Sequence, residues 1–213
     1  MFYSDPQAGF ARDLQLYEAL GDWLSFYAVI NPRLPDTVAQ IEAAARNPRI
    51  VGLRFFPTLH HYPLDFDPLL SAIRIAAQCG LPVNLSARLL DARTAPGCLH
   101  QAEIGLDALP GLLRRAGEAT LVLSMFFFSE LRGLQVDWEA LPGVYLDLGC
   151  CKPAVDSFDE LADWFSPQRA VFGSGAPLHY WKGSRLAVEG ATLAPKHKAA
   201  ILGGTAREVF SWP

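Results

Sequence analysis

Residues 51–85, VGLRFFPTLHHYPLDFDPLLSAIRIAAQCGLPVNL, hold two short apolar runs with one helix-length segment between them, and their reading decides the fold. VGLRFF (51–56) and PVNLSA (82–87) are short, apolar and bounded by Pro and Gly, as strands are. Between them Asp67 stands as an N-cap with Pro68 at the first helical position. Leu69, Leu70, Ile73 and Ala77 follow at helical spacing, and Gly80 lies just past the end. A strand, a crossing helix and a second strand make a parallel pair.

The same unit repeats outward. SFYAVI (25–30), TLVLSM (120–125), VYLDLG (144–149) and AVFGSG (170–175) complete a set of strands spaced at roughly 25 to 35 residues, with helical segments between most of them. Asp36 precedes Val38, Ile41 and Ala45. Leu106, Leu109, Leu112 and Leu113 form a stripe, and Ser157 leads into Asp159, Glu160, Leu161 and Trp164. The tail, LAPKHKAAILGGTAREVFSW, reads as two short helices broken at Gly203 and Gly204, with Thr205 capping the second. Most strands are apolar on both faces, as in a parallel sheet covered by helices. The expectation is an α/β fold: an incomplete, TIM-barrel-like (β/α)8 architecture of six parallel strands with surrounding helices, in one domain over residues 1–213.

Composition narrows the partners. A formal charge of −4 offers no basic footprint for nucleic acid. The first ten residues lack the basic and apolar regions of a secretory signal, and no run reaches the roughly 18 apolar residues of a membrane span, so a cytoplasmic protein without membrane partners is expected. Cys79, Cys98, Cys150 and Cys151 show no CxxC spacing and read as free thiols, the vicinal pair as small hydrophobes at a strand end.

Several blocks carry a resemblance. VINPRLPDTVAQIE, residues 51–85, LVLSM, VYLDLG, AVFGSGAP and LAPKHKAAILGGTAREVF, in this order, resemble the amidohydrolase-related family of metal-dependent TIM-barrel hydrolases and decarboxylases. The resemblance implies that the family's first strand, with its His-x-His metal pair, and most of its second have no counterpart in this sequence. It also places the remaining family ligands on residues that do not bind such a metal: Asn84, Leu85 and Ser86 at one histidine, Met125 at another, and Gly175 at the catalytic aspartate. No resident metal or other cofactor is therefore expected, with a divalent metal such as zinc as the less favoured alternative. A subgroup of the family shares FFPTLHHYPL, the Arg88-to-Arg93 run and FGSGAP, from which Ala92 and Gly175 depart as small residues.

Strand alternation selects the candidate site. Arg54 and Phe56 share one face of their strand, as do Asn84, Ser86 and Arg88, and Tyr145, Asp147 and Gly149. Pointed inward, Asn31, Arg54, Ser86, Arg88 and Asp147 reach the C-terminal mouth, where such barrels keep their sites, with His60 and Asp91 on the loops above and His179 within reach. The functional reading is a pocket for a small anionic or carboxylated molecule. Arg54 and Arg88 are its fork donors, His60 the acid or base, and Asp147 the partner that orients His60; Asn31, Ser86, Asp91 and His179 contact the ligand. The structural reading of the same residues is a buried network that serves packing. His60 and His61, adjacent in a loop, point apart and do not read as a metal pair. Ser174 lacks a nucleophile elbow, and the aromatic run 126–128 and Trp181 read as core or interface.

At the level of function, an amidohydrolase-like hydrolase or decarboxylase of a small carboxylated substrate, with a degenerate metal site, stands beside a non-catalytic ligand-binding or scaffold relative and a chain with a truncated start. Open sheet edges favour a homo-oligomer or a partner chain that covers them under each reading.

Overall fold

The computed structural model describes residues 8, 9, 11, 12, 15, 23–90, 103–149, 158–176 and 180–211. Six strands form one parallel sheet in chain order: β1 (Phe26–Ile30), β2 (Ile50–Phe55), β3 (Val83–Ser86), β4 (Leu121–Ser124), β5 (Val144–Asp147) and β6 (Ala170–Val171). Each strand pairs with the next, so the sheet winds in a single direction as a barrel wall does. It does not reverse at a switch point as an open doubly wound sheet does. Among the described residues β1 and β6 are its two edges, and the barrel is incomplete. Every expected strand is present with shifted ends; β6 is far shorter than 170–175 because the chain leaves the sheet at Phe172.

Helices α1 (Thr37–Ala45), α3 (Asp67–Gln78) and α4 (Leu109–Ala116) cover the outer face, burying Ile41, Leu69, Ile73, Leu109 and Leu113 against Leu53, Phe55, Leu85, Leu121 and Leu146 in one core. Asp67 is the first residue of α3 and not its cap. Phe66 holds the cap position without a side-chain bond. Gly80 ends the turn at φ 70°, with the Leu81 N–H returning to the Ala76 carbonyl. A short helix α2 (Pro57–His60), not anticipated from the sequence, follows β2, and α5 (Phe128–Arg132) follows β4. Among the described residues no helix is long and apolar enough to cross a membrane. The aromatic run joins the core: Phe126 is fully buried, and Phe128 meets Phe158 and Trp164 edge-on.

The tail covers part of the inner face, around Val122 and Val171. After α6 (Trp181–Gly190), α7 (Pro195–Ala199) runs on through residues 200–204 and kinks at Gly203 into α8 (Thr205–Val209). Thr205 does not cap α8; it lies inside the helix, and its hydroxyl donates to the Gln168 carbonyl at 2.8 Å, which ties the tail to the segment entering β6. Phe210 then packs with Val122 and Val171 on the inner face, joined by Tyr27, Val51, Tyr145, Ala206 and Val209. One side chain of the tail thus draws together residues from the first and last strands. Replacing Phe210 by Ala removes that contact and should destabilise the protein by about 3 kcal/mol in urea unfolding, with Phe210→Leu costing less.

Candidate functional site

The parallel register sets inward-facing polar residues side by side on adjacent strands: Arg54 opposite Asn84, Ser86 opposite Ser124. They join in one chain of hydrogen bonds. Arg54 Nε donates to Ser86 Oγ at 2.8 Å, Ser86 Oγ to Asn84 Oδ1 at 3.0 Å, Asn84 Nδ2 to Ser124 Oγ at 2.7 Å, and Ser124 Oγ to Asp147 Oδ2 at 2.5 Å. Every donor points from the cation toward the carboxylate, so neither hydroxyl can turn round and the Asn84 amide cannot flip without breaking two bonds. Asn84, Ser86 and Ser124 are at most 2% exposed, so water cannot replace a lost partner.

The two ends differ. Asp147 Oδ1 accepts the Gly149 N–H at 2.8 Å, and Gly173 lies against the same carboxylate: a β-carbon there would sit 1.8 Å from Oδ1 and 2.7 Å from Cγ. Glycine at 173 is a condition for the carboxylate's position. Arg54 lies 4.9 Å over the Phe56 ring, and after its Nε bond its two terminal nitrogens have no hydrogen-bond acceptor among the described residues. Burial pulls its proton affinity down, while the Asp147 charge raises it.

The other expected site residues fall elsewhere. Arg88 does not present a free fork: it is bidentate to Glu130, donates from Nη1 to the Met125 carbonyl at 2.7 Å and lies 4.2 Å over the Phe127 ring. Glu130 Oε2 also accepts the Phe127 N–H at 2.7 Å, so this ion pair pins the turn after β4, where Met125 holds a left-handed φ of 62°. Asn31 serves its own loop, accepting the Arg33 N–H on Oδ1 and the Thr37 hydroxyl on its carbonyl. Ser174 Oγ accepts the Ala176 N–H in a local turn. His60 makes no hydrogen bond to Asp147. Its Nδ1 is buried without a partner between the Phe56 and Tyr62 rings, because α2 turns the imidazole into an aromatic pocket. Asp91 and His179 lie outside the described residues, as do Cys98, Cys150, Cys151 and Ser157.

Asn84, Ser124, Glu130, Gly173 and Tyr27 were missing from the expected site. Asn84 and Ser124 had a sequence signal, a polar residue at alternate positions of an otherwise apolar strand; Glu130 and Gly173 had none.

A divalent catalytic ion takes three or more nitrogen, oxygen or sulfur ligands. Among the described residues no group of three or more His, Cys, Asp or Glu could hold one. On the inner face Asp147 stands as a single carboxylate, bonded to Ser124 and Gly149, and a guanidinium faces it across the network. These residues do not fit the metal centre that the family resemblance implies.

The family model described as Amidohydrolase matches residues 13–212. No curated protein sequence matches. Among solved structures, an uncharacterized TIM-barrel protein from Bordetella bronchiseptica has a TM-score of 0.71 at 17% identity, with 94% of this chain and 71% of that one covered. The 5-carboxyvanillate decarboxylase of Sphingomonas paucimobilis has a TM-score of 0.69 at 16% identity, covering 97% and 73%. A dihydroxybenzoic acid decarboxylase from Polaromonas sp., with manganese and 2-nitroresorcinol bound, has 0.66 at 12%, covering 97% and 74%. At these identities the likeness establishes the fold, a TIM barrel of which this chain spans nearly three quarters.

Two outcomes follow from this geometry. Gly173→Ala must displace the Asp147 carboxylate, and the cost of about 1–3 kcal/mol in chemical denaturation should shrink in an Asp147→Ala background, where nothing is left to displace. Burial and the neighbouring His61 charge hold His60 below its ordinary value of 6.5. The unfolded chain therefore takes up this proton first as pH falls, and the stability His60 confers, complete above 6.5, declines as pH drops through that value toward the folded one. The urea midpoint of His60→Asn should fall less steeply than that of the unmodified protein between about pH 7 and 5, and equal slopes would refute the assignment.

Proposed function

Because the chain belongs to the amidohydrolase family, we propose that its inner face receives a small carboxylated substrate of the kind this lineage hydrolyses or decarboxylates, with the carboxylate on Arg54 and without the family's metal. The observation that carries this reading is the pair of terminal Arg54 nitrogens with no acceptor, on a cation whose remaining contacts hold it in place. A planar fork of N–H groups matches a carboxylate, and desolvation makes an uncompensated cation there costly unless an anion arrives. The decarboxylases of similar fold, named for 5-carboxyvanillate and dihydroxybenzoic acid, support decarboxylation ahead of hydrolysis. In this reading Arg54 orients the carboxylate, and Asp147, at the far end of the chain, carries a proton to or from the reacting molecule. A second reading, binding without turnover, is favoured by the unpartnered His60, which no carboxylate orients as a base.

Isothermal titration with benzoate, and with neutral benzamide as control, tests the common part of both readings. Benzoate should bind and benzamide should not. Arg54→Met should weaken benzoate by roughly 10- to 100-fold, Arg54→Lys by less, and a chelator should change nothing. Equal binding by Arg54→Met, or stoichiometric metal in the purified protein, would sink the proposal. Release of carbon dioxide from hydroxybenzoates, present or absent, separates catalysis from binding alone.

A further inference from the structure

We infer that Tyr27 is a second donor of this site, its phenol O–H gripping the same ligand carboxylate as Arg54; this rests on the carboxylate reading above and adds a specificity-determining residue to it. Tyr27 faces inward from β1 directly opposite Gly52 in the register, after an extra residue, Val51, shifts the pairing of β1 with β2. A β-carbon on Gly52 would lie 3.2 and 3.3 Å from two carbons of the Tyr27 ring. It would also lie 2.8 Å from the Pro82 carbonyl oxygen, so glycine at 52 is required by the backbone of the next strand and at the same time lets the ring lie close over β2, where it interacts with the Asn84 side chain on β3. There it also feels the charges of Arg54 and Asp147, while Phe210 braces it edge-on, ring centres 5.5 Å apart.

The inventory of hydrogens gives Tyr27 its role. The Ser86 and Ser124 hydrogens are committed to Asn84 and Asp147, and one Asn84 amide hydrogen to Ser124. The Asn84 side chain also hydrogen-bonds the Tyr27 oxygen, in the sense that favours the ionised phenol and so as donor, which leaves as donors of this face without an acceptor among the described residues the terminal nitrogens of Arg54 and the phenol's own hydrogen. A cation and a neutral hydroxyl that lack acceptors call for a ligand rich in acceptors and negatively charged; a carboxylate is the smallest such group. Burial, reinforced by the nearby Asp147 charge, pushes the phenol above its ordinary range, so the donor keeps its hydrogen at neutral pH.

Tyr27→Phe keeps the ring against Gly52 and Phe210 and removes only the hydroxyl. It should melt as the unmodified protein does yet bind benzoate about tenfold more weakly, with benzamide still unbound. In an Arg54→Met background the same change should cost much less, because both donors hold one group. Should Tyr27→Phe prove unstable, the unmodified protein labelled with 13C at the tyrosine ring carbon that bears the hydroxyl provides the second arm. The Tyr27 resonance should shift on adding benzoate and stay in place with benzamide, and an unmoved resonance would reject the role. If Tyr27→Phe binds benzoate like the unmodified protein while Arg54→Met does not, Tyr27 is a packing residue and the Arg54 reading stands. If Arg54→Met also binds normally, both fall together.

Discussion

A guanidinium on β2 and a carboxylate on β5, joined by three neutral side chains that each accept from one neighbour and donate to the next, organise the inner face of this sheet. With opposite charges at its ends, the chain of bonds has one low-energy direction, and its three neutral members are too buried for water to substitute. The strands cannot slip by one residue without moving Arg54, Asn84, Ser86, Ser124 and Asp147 to the wrong face. The same constraint leaves Arg54 with donors to spare, and the proposal of an anion site rests on them.

The incomplete barrel depends on a second constraint. A six-stranded wall has two edges and an apolar inner floor, both of which a closed barrel would hide. Phe210, carried by α8 and tethered through Thr205 to the segment before β6, fills that floor, and Val122, Val171 and Tyr27 close around it. Tyr27 packs edge-on against Phe210 and interacts with the Asn84 side chain, so one ring belongs to the apolar floor and to the polar network at once.

At the positions the family resemblance assigns to ligands stand Met125, whose carbonyl is held by Arg88, and Gly175, beside the Gly173 that makes room for Asp147. Positive charge on this face comes from a side chain, Arg54. A guanidinium supplies fixed donors in a plane, suited to holding a carboxylate, where a divalent ion would polarise one and activate water.

From the sequence alone came the alternation of strands and helices, the identity of all six strands, and the shared inward face of Arg54, Ser86 and Asp147, because the periods of two and 3.6 are local properties of the backbone. Strand order, the link through Asn84 and Ser124, the capture of Arg88 by Glu130 42 residues away, the seclusion of His60 and the need for glycine at 52 and 173 emerged only when distant segments met. Alternation says which way a side chain points; the partner it finds is fixed by register and packing between residues far apart in the chain, and those are set by the whole fold.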